Sequence, residues 1–286
     1  MNFIFLPLPL SLPKTKRVYM SAIKFSKMVA TGNDFIVIDN RKQTLKRLSE
    51  LARKLCDRKF GIGADGLLLV ERSKIADFKM RILNPDGTEP DTCGNGSRCI
   101  ALYAKLNKIA LYTMRIETKA GLLSAKAGKS NVKINMTDPK DMKLGIDLKL
   151  KKKAYKLHYI NTGVPHVVCF INDIESLDLI SFGSSIRYHK IFAPNGTNVN
   201  IVSFKDKRSI LARTYERGVE DETLACGTGS VASAVISGVV KGLKSPVTVC
   251  TRGGDLKIYF TVKNDIICNA FLEGQAKEVF KGQIKV

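Results

Sequence analysis

The chain contains the pattern Cys-Gly-x-Gly twice, beginning at Cys93 and at Cys226, 133 positions apart. Each copy stands directly before a stretch whose apolar spacing predicts a helix. Glycines beside the cysteine let a ligand approach the backbone, and the start of a helix offers unpaired N–H groups and partial positive charge to an anion. A helix N-terminus also favours the thiolate form of cysteine. Each copy is therefore predicted to bind a carboxylate and to hold a base.

Two such units facing one cleft would place a thiol on each side of one carbon atom. Inverting a stereocentre through a carbanion needs a base on one face and an acid on the other, and a reversible enzyme needs each group in both roles. The helix N-termini would stabilise the charge that develops on the substrate carboxylate. No pyridoxal lysine motif is apparent, so we expect the reaction to proceed without a cofactor.

The sequence around the two cysteines is internally duplicated. "TGNDFIV" begins at Thr31 and "TGVPHVV" at Thr162, an offset of 131 that nearly equals the offset of the cysteines. In each half a Thr-Gly turn opens a strand, and a later strand leads through a polar loop into Cys-Gly-x-Gly and a helix. Residue patterning predicts helices at 97–106 and 230–240, and strands at 67–70, 79–83, 132–136, 211–215, 247–250 and 256–262.

These elements predict an α+β fold of two pseudo-symmetric domains with similar topology. Each domain is expected to be a mixed or antiparallel sheet wrapped on a central helix, with the active site in the cleft between the domains. We expect an N-terminal domain at 22–136, a C-terminal domain at 137–274, and a terminal strand at 275–286 that returns to the first domain. Residues 1–21 are expected to be a disordered extension before a functional start at Met20, with an organelle-targeting or membrane-contact role as the alternative.

Composition narrows the class of protein further. A chain of 286 residues with 44% apolar residues is typical of a globular protein. Seven cysteines without regular spacing or a secretory signal predict free thiols and a cytoplasmic location. The net charge of +21 comes from scattered lysines without a nucleic-acid-binding pattern. We therefore predict no nucleic-acid or membrane partner, and we interpret the charge as an aid to solubility that also attracts anionic metabolites.

Other functions of the cysteines and glycines receive little support. Zinc binding is disfavoured because the chain has no Cys-x-x-Cys and only three histidines. Phosphate binding is disfavoured because neither glycine-rich copy continues into Gly-Lys-Ser/Thr. A disulfide between Cys93 and Cys226 is interpreted as oxidative inactivation. The remaining cysteines are interpreted as small buried apolar residues, namely Cys56, Cys99, Cys169, Cys250 and Cys268.

From about Ile23 to Val286 the sequence resembles the diaminopimelate epimerase family. The resemblance is carried by "MVATGNDFIVID", "GIGADGLLLV", "NPDGTEPDTCGNGSRC", "TGVPHVV", "GTNVNIV" and "ERGVEDETLACGTG" in this order. Members of this family interconvert LL- and meso-diaminopimelate without a cofactor, on the route to lysine and peptidoglycan. The resemblance implies the same substrate for this chain, no cofactor or metal, and a homodimer.

The resemblance also implies roles for individual residues. Cys93 and Cys226 would be the acid/base thiols, with His166 and Glu216 setting their protonation. The α-carboxylate would bind to backbone donors of Gly94, Asn95, Gly227 and Thr228, and the distal amino acid end to Asn33, Asn84, Asn198 and Arg217.

Two positions depart from the common family pattern. Val164 stands where many members have asparagine, and the loop between Glu216 and Cys226 carries one residue more than usual. The alternatives are therefore a cofactor-independent racemase of another amino acid on the same scaffold and a non-catalytic protein that binds through its basic surface. A non-thiol isomerase of the phenazine-pathway type is disfavoured because both cysteines are present.

Overall fold

The structure is a computed structural model that describes residues 22–91, 93–150, 153–264 and 266–285. The predicted extension at 1–21 lies outside these residues. The first half contains β1 (Ala22–Ala30), β2 (Asn33–Asp39), α1 (Leu48–Cys56), β3 (Gly66–Glu71), β4 (Phe78–Leu83), α2 (Gly94–Leu106), β5 (Thr113–Thr118), β6 (Gly121–Ala127) and β7 (Asn131–Asn135). The second half contains β8 (Lys140–Leu150), β9 (Lys153–Asn161), β10 (Pro165–Phe170), α3 (Leu179–Arg187), a 3-10 helix (Lys190–Phe192), β11 (Asn198–Phe204), β12 (Ser209–Glu216), β13 (Asp221–Thr223), α4 (Gly227–Lys241), β14 (Val247–Thr251), β15 (Gly254–Lys263), β16 (Ile266–Gln275) and β17 (Lys277–Lys285).

The two halves repeat the same order of strand directions. In the first half β1 and β2 are antiparallel, β2 and β3 parallel, β3 and β4 antiparallel, β4 and β5 parallel, and β5, β6 and β7 antiparallel. In the second half the same sequence of directions runs through β9, β10, β11, β12, β14, β15 and β16. The internal duplication and the α+β class are therefore confirmed.

One helix in each half lies inside its sheet. The helix α2 packs against strands β1 to β4 and β6 to β7, and α4 packs against β9 to β12 and β14 to β16. Both helices carry apolar residues on most of their circumference, and every residue from Asn95 to Ala104 and from Gly229 to Ser237 is buried. A helix that is apolar around most of its circumference is stable only when it is surrounded, which explains why each sheet curves around one.

Pairing between the halves brings the two central helices together. Strand β7 pairs with β16, β17 returns to pair along β1, and α2 contacts α4. The buried apolar cluster runs without interruption from α2 to α4. Both helices begin three residues earlier than their apolar spacing predicts, at Gly94 and Gly227, so their first turns contain the glycine-rich patterns. Among the described helices, none is both long and apolar enough to cross a membrane.

Candidate active site

Cys93 and Cys226 occupy equivalent positions, because each is the N-cap residue of a central helix. Both have extended backbones, with φ of −151° and −110°, and each Sγ accepts a hydrogen bond at 3.4 Å from the N–H three residues later, that of Gly96 or Gly229. This is the usual acceptor position of a capping side chain, which holds the sulfur over the positive end of the helix. Glycine is needed at 229 because a Cβ there would collide with Oδ1 of Asn200.

Thr228 joins Cys226 to His166. The Thr228 hydroxyl oxygen lies 3.4 Å from Cys226 Sγ and 3.0 Å from His166 Nε2. The carbonyl oxygen of Thr228 accepts a hydrogen bond from the Thr162 hydroxyl at 3.0 Å, which fixes the first turn of α4 against the Thr-Gly turn of the second half. The imidazole of His166 is therefore connected to the thiol through one hydroxyl group and does not contact it directly.

His166 is fully buried and neutral. Burial, assisted by the positive charge of Arg217, lowers the pKa of His166 to about 3. Asn200 Nδ2 lies 3.1 Å from His166 Nδ1, and Asn200 Oδ1 accepts a hydrogen bond from the Thr214 hydroxyl. This network assigns the proton of the neutral ring to Nε2, which donates to the Thr228 hydroxyl and leaves that hydroxyl free to donate to Cys226 Sγ.

This buried histidine predicts a loss of stability in mild acid. An unfolded histidine titrates near pH 6.5, whereas His166 in the folded protein resists protonation down to about pH 3. The contribution of neutral His166 to the stability of the folded protein is therefore complete above pH 6.5. It is lost as the pH falls, because only the unfolded chain gains the proton. When the pH is lowered from 7 to 5, the free energy of unfolding measured in urea should fall by about 2 kcal/mol more for the wild type than for His166→Gln. Equal losses in the two proteins would show that His166 does not resist protonation.

Glu216 lies at the end of β12 and is close to both thiols. Its carboxylate accepts a hydrogen bond from the Thr223 hydroxyl at 2.9 Å. Burial raises the pKa of Glu216. The Glu216 charge in turn adds to the burial that raises the pKa of Cys226, and it acts in the same direction on Cys93. The charge of one carboxylate thus acts on both thiols, which cap the two helices that meet at the junction of the halves.

The helix starts act on the two thiols in the predicted direction, but burial outweighs them. Burial raises the pKa of Cys226 to about 12 and also raises the pKa of Cys93. The N–H groups of Gly96 and Gly229 act in the opposite direction, but the loss of hydration outweighs them. Both thiols therefore hold their protons more tightly than a free cysteine.

Asn33 and Asn95 lie together, and their side chains are hydrogen-bonded to each other and to neighbouring residues. The Asn95 amide donates to Asn33 Oδ1 at 2.5 Å, and Asn95 Oδ1 accepts hydrogen bonds from Thr31 Oγ1 at 3.0 Å and from Arg98 Nη2 at 2.7 Å. Asn33 Nδ2 donates to Asp65 Oδ2 at 2.9 Å. A ligand beside α2 would therefore meet the backbone N–H of Asn95 and not its amide group.

Asn198 and Arg217 also lie together, on the second half. Asn198 Oδ1 accepts a hydrogen bond from the Arg217 backbone N–H at 2.9 Å, and Asn198 Nδ2 donates to the Pro165 carbonyl at 2.9 Å. Asn84 lies apart from them in a turn of the first half, where its amide donates to the Thr88 hydroxyl at 3.0 Å. The Asn198 side chain therefore links the backbone of Pro165 to that of Arg217.

The Arg217 side chain lines an open cavity of about 960 Å³. Its Nη1 donates to the Asn195 carbonyl at 3.2 Å, and the described residues offer it no carboxylate within 4.0 Å. Pro165 and Asn161 line the same cavity, and Asn161 lies three positions before Val164. The other lining residues with polar side chains are Asp141, Lys143, Asp147, Tyr159 and Asn195.

Several polar residues of the site had not been identified from the sequence. They are Thr31, Asp65, Arg98, Thr162, Asn200, Thr214 and Thr223. A signal was available for Asn200, because strand alternation places it on the same face as Asn198. Arg98 lies within the motif "CGNGSRC", and a charged residue among the apolar positions of a buried helix was a signal for it.

The other cysteines divide into two groups. Cys56, Cys99 and Cys169 are buried, as predicted, whereas Cys250 and Cys268 are partly exposed, so the prediction that these two are buried was wrong. Both lie on strands near the end of the chain. Over the described residues, His, Cys, Asp and Glu side chains form no group of three that is suited to a metal ion.

Solved structures of low sequence identity share this fold. The phenazine biosynthesis protein of the PhzF family from Bacillus anthracis has a TM-score of 0.71 and 19% identity, with 93% of this chain and 100% of that chain covered. A hydroxyproline epimerase from Agrobacterium vitis has a TM-score of 0.65 and 15% identity, with 92% and 91% covered. The fold thus defines a class of two-half α+β proteins with one central helix in each half.

Sequence comparison is more specific. The family model for diaminopimelate epimerase matches residues 25–142 and 158–279. A diaminopimelate epimerase of Methanocella arvoryzae is 42% identical over 281 residues, which cover 93% of this chain and 98% of that protein. One from Chlorobaculum tepidum is 40% identical over 262 residues, covering 90% and 99%. The chain belongs to the diaminopimelate epimerase family.

Proposed function

We propose that this protein epimerises LL-diaminopimelate to meso-diaminopimelate without a cofactor, with Cys93 and Cys226 as the two proton-transfer groups. The observation that carries this proposal is that the two thiols cap the equivalent central helices of the two halves, and that these helices contact each other. The names of the relatives supply the substrate. The reaction belongs to the synthesis of lysine and of peptidoglycan precursors.

The substrate α-carboxylate is proposed to bind at the first turns of α2 and α4. The backbone N–H groups of Gly94, Asn95, Gly227 and Thr228 belong to these turns, where the helix itself supplies no acceptors. Because the N-terminus of a helix carries partial positive charge, the two first turns would favour the dianion that forms when the α-carbon loses its proton.

The chemistry needs two proton transfers and no other reactant. The thiolate of one cysteine takes the α-proton, and the electron pair of the C–H bond moves onto the α-carbon and its carboxylate. The thiol of the other cysteine then donates its proton to the opposite face of the same carbon. The α-carbon is inverted, and the thiol and thiolate have exchanged places. The reverse reaction uses the same two groups in exchanged roles.

His166, Thr228 and Glu216 are proposed to act on Cys226. A neutral His166 keeps the Thr228 hydroxyl turned toward the sulfur, where it stabilises the thiolate that remains after proton donation. Glu216 opposes that thiolate, because its negative charge raises the pKa of Cys226 beyond the effect of burial. Glu216 thus keeps Cys226 protonated before the reaction, and the Thr228 hydroxyl stabilises the thiolate that is left afterwards.

The distal end of the substrate is proposed to bind beside Arg217, with Asn33, Asn84 and Asn198 shaping the surroundings. Val164 removes an amide that the resemblance led us to expect. Asn161 lines the same cavity as Arg217, and its Oδ1 accepts a hydrogen bond from the Gly163 N–H at 3.0 Å. We propose that Asn161 supplies the missing amide donor.

Deuterium incorporation tests the proposed reaction directly. Purified protein and LL-diaminopimelate in heavy water, without added cofactor, should give meso-diaminopimelate with one deuteron at the inverted α-carbon. Since the thiols exchange their protons with solvent, the incoming hydrogen carries the solvent label. Activity should survive a chelator and disappear after thiol alkylation. Activity that a chelator abolishes and an added metal restores would refute the two-thiol mechanism.

A racemase of another amino acid is the second candidate. Val164 favours it, because a less polar site would accept a different side chain, and the hydroxyproline epimerase shows the same fold. A non-catalytic binding protein is the third, and it would give no deuterium incorporation with any amino acid.

We further propose a homodimer located in the cytoplasm. The seven free thiols support a reducing compartment. The homodimer rests on the resemblance to the family, and sedimentation velocity of the purified chain would measure it.

A further inference from the structure

Arg98 is a buried cation without an anion. It lies on α2, one turn beyond Cys93, and has 0% of its surface exposed. Its Nη2 donates to Thr31 Oγ1 at 2.5 Å and to Asn95 Oδ1 at 2.7 Å, and its Nη1 donates to the Gly94 carbonyl at 3.4 Å. All three acceptors are neutral, and no carboxylate of the described residues lies within salt-bridge distance.

Such a charge is costly to keep. Removing an ion from water without a counter-charge costs several kcal/mol even after relaxation. The Nε of Arg98 also lacks a hydrogen-bond partner within the described part of the chain. It packs against Gly274 of β16, where a Cβ would lie 3.3 Å from Nε. Burial lowers the pKa of Arg98 to about 10, so the group remains charged at neutral pH.

The acidic groups that act on Arg98 are thiols. Cys93 and Cys99 both lie within its electrostatic range. Cys99 is enclosed in the apolar core, and burial raises its pKa strongly. Cys93 is partly exposed, and its sulfur accepts a hydrogen bond from the N–H of Gly96. The anion that can balance Arg98 is therefore the thiolate of Cys93, or a carboxylate bound at the same helix start.

The second half has no equivalent charge. The position of α4 that corresponds to Arg98, 133 residues later, is Val231, which is fully buried. Cys226 instead faces the Glu216 carboxylate, the Thr228 hydroxyl and, through it, the neutral His166. A fixed cation thus contacts Gly94 and Asn95, the two residues that follow Cys93, whereas the charge that acts on Cys226 is an anion.

We propose that Arg98 is a positioning residue that divides the roles of the two thiols, because it makes Cys93 the more acidic thiol and leaves Cys226 as the proton donor. The charge of Glu216 also acts on Cys93, but there it is the smallest of the named effects, whereas at Cys226 it is second only to burial. The network of Arg98 with Thr31 and Asn95 holds the guanidinium behind the first turn of α2, where it does not compete with the substrate. This inference rests on the proposed two-thiol function.

The pH dependence of alkylation, followed at each cysteine, tests the proposal without any substrate. Protein is treated briefly with iodoacetamide at a series of pH values, and modification of Cys93 and Cys226 is quantified by peptide mass spectrometry. We expect the rate at Cys93 to rise at lower pH than the rate at Cys226. Comparison of pH midpoints, and not of rates, removes the effect of the greater exposure of Cys93. A lower midpoint for Cys226 in the wild type overturns the proposal.

Two variants of Arg98 separate charge from packing. Arg98→Met should raise the Cys93 midpoint and lower its alkylation rate at pH 7 by about tenfold or more, with the Cys226 midpoint unchanged. Arg98→Lys, which keeps the charge, should restore the Cys93 midpoint in part. An unchanged Cys93 midpoint in folded Arg98→Met, with only a shift in Tm, shows a merely structural role. Failure of the deuterium experiment with normal alkylation midpoints would reject the proposed function and leave the role of Arg98 standing.

Discussion

Replacement of either Cys93 or Cys226 by alanine should abolish epimerisation in both directions, with a loss of at least about a thousandfold. Each direction needs one sulfur to take a proton and the other to return one, so neither cysteine is dispensable in either direction. The measurement is the rate of LL- to meso-diaminopimelate conversion and of its reverse, followed by chiral chromatography. Each variant also loses one N-cap, which costs only about 1 kcal/mol, so both should remain folded.

Cys268→Ala and Cys250→Ala are matched controls for this experiment. Both residues are partly exposed and lie on strands, away from the first turns of α2 and α4. Their variants should retain wild-type rates, since neither thiol caps a helix. Full activity in Cys93→Ala or in Cys226→Ala would remove that residue from the mechanism. Mild oxidation should inactivate the wild type, and a reductant should reverse the effect.

Much of this arrangement could be predicted from the sequence, because the Cys-Gly-x-Gly pattern and its surroundings occur twice in the chain. A single Cys-Gly-x-Gly would have been weak, but two copies at nearly the same offset as the Thr-Gly turns required two equivalent helix starts. The strands β4 and β12 were predicted from the alternation of apolar and polar residues. The capping role of the thiols was not predicted, because apolar spacing placed the helix starts at 97 and 230, whereas the helices begin at Gly94 and Gly227.

The pKa values of the thiols could not be obtained in this way. Hydrogen bonds from the helix start are local and can be predicted from sequence, whereas burial depends on how α2 and α4 meet across the two halves. The same limit applies to Arg98, whose lack of a counter-ion is a property of everything packed around it. The helix α1 was missed although its buried Ala52, Leu55 and Cys56 follow helical spacing. The helix α3 was missed although Asp178 caps it by accepting from the Ser181 N–H at 3.1 Å.

Replacement of Arg217 by methionine should remove the preference for diaminopimelate over lysine. Lysine is diaminopimelate without the distal carboxylate, so it tests that group alone. A charge-assisted hydrogen bond to a carboxylate contributes about 1.5–3 kcal/mol, and an unpaired buried partner costs a similar amount. We therefore expect Arg217→Met to lower kcat/KM for diaminopimelate by about 10- to 150-fold while leaving the slow turnover of lysine unchanged.

The wild type should favour diaminopimelate over lysine, histidine and proline by at least about tenfold in kcat/KM, which corresponds to about 1.4 kcal/mol in transition-state binding. Asn161→Ala is the companion variant, because it keeps the charge of Arg217 and removes only the amide on the other side of the cavity. It should weaken the preference by less than Arg217→Met, since a neutral hydrogen bond contributes about 1 kcal/mol. Should histidine, proline or lysine exceed diaminopimelate by tenfold, Val164 marks a site retuned for another amino acid. The two-cysteine chemistry stands in that case, because the cavity beside Arg217 is lined by β8, β9, β10, the 3-10 helix and the loops that follow this helix and β12, whereas the thiols stand at the starts of α2 and α4.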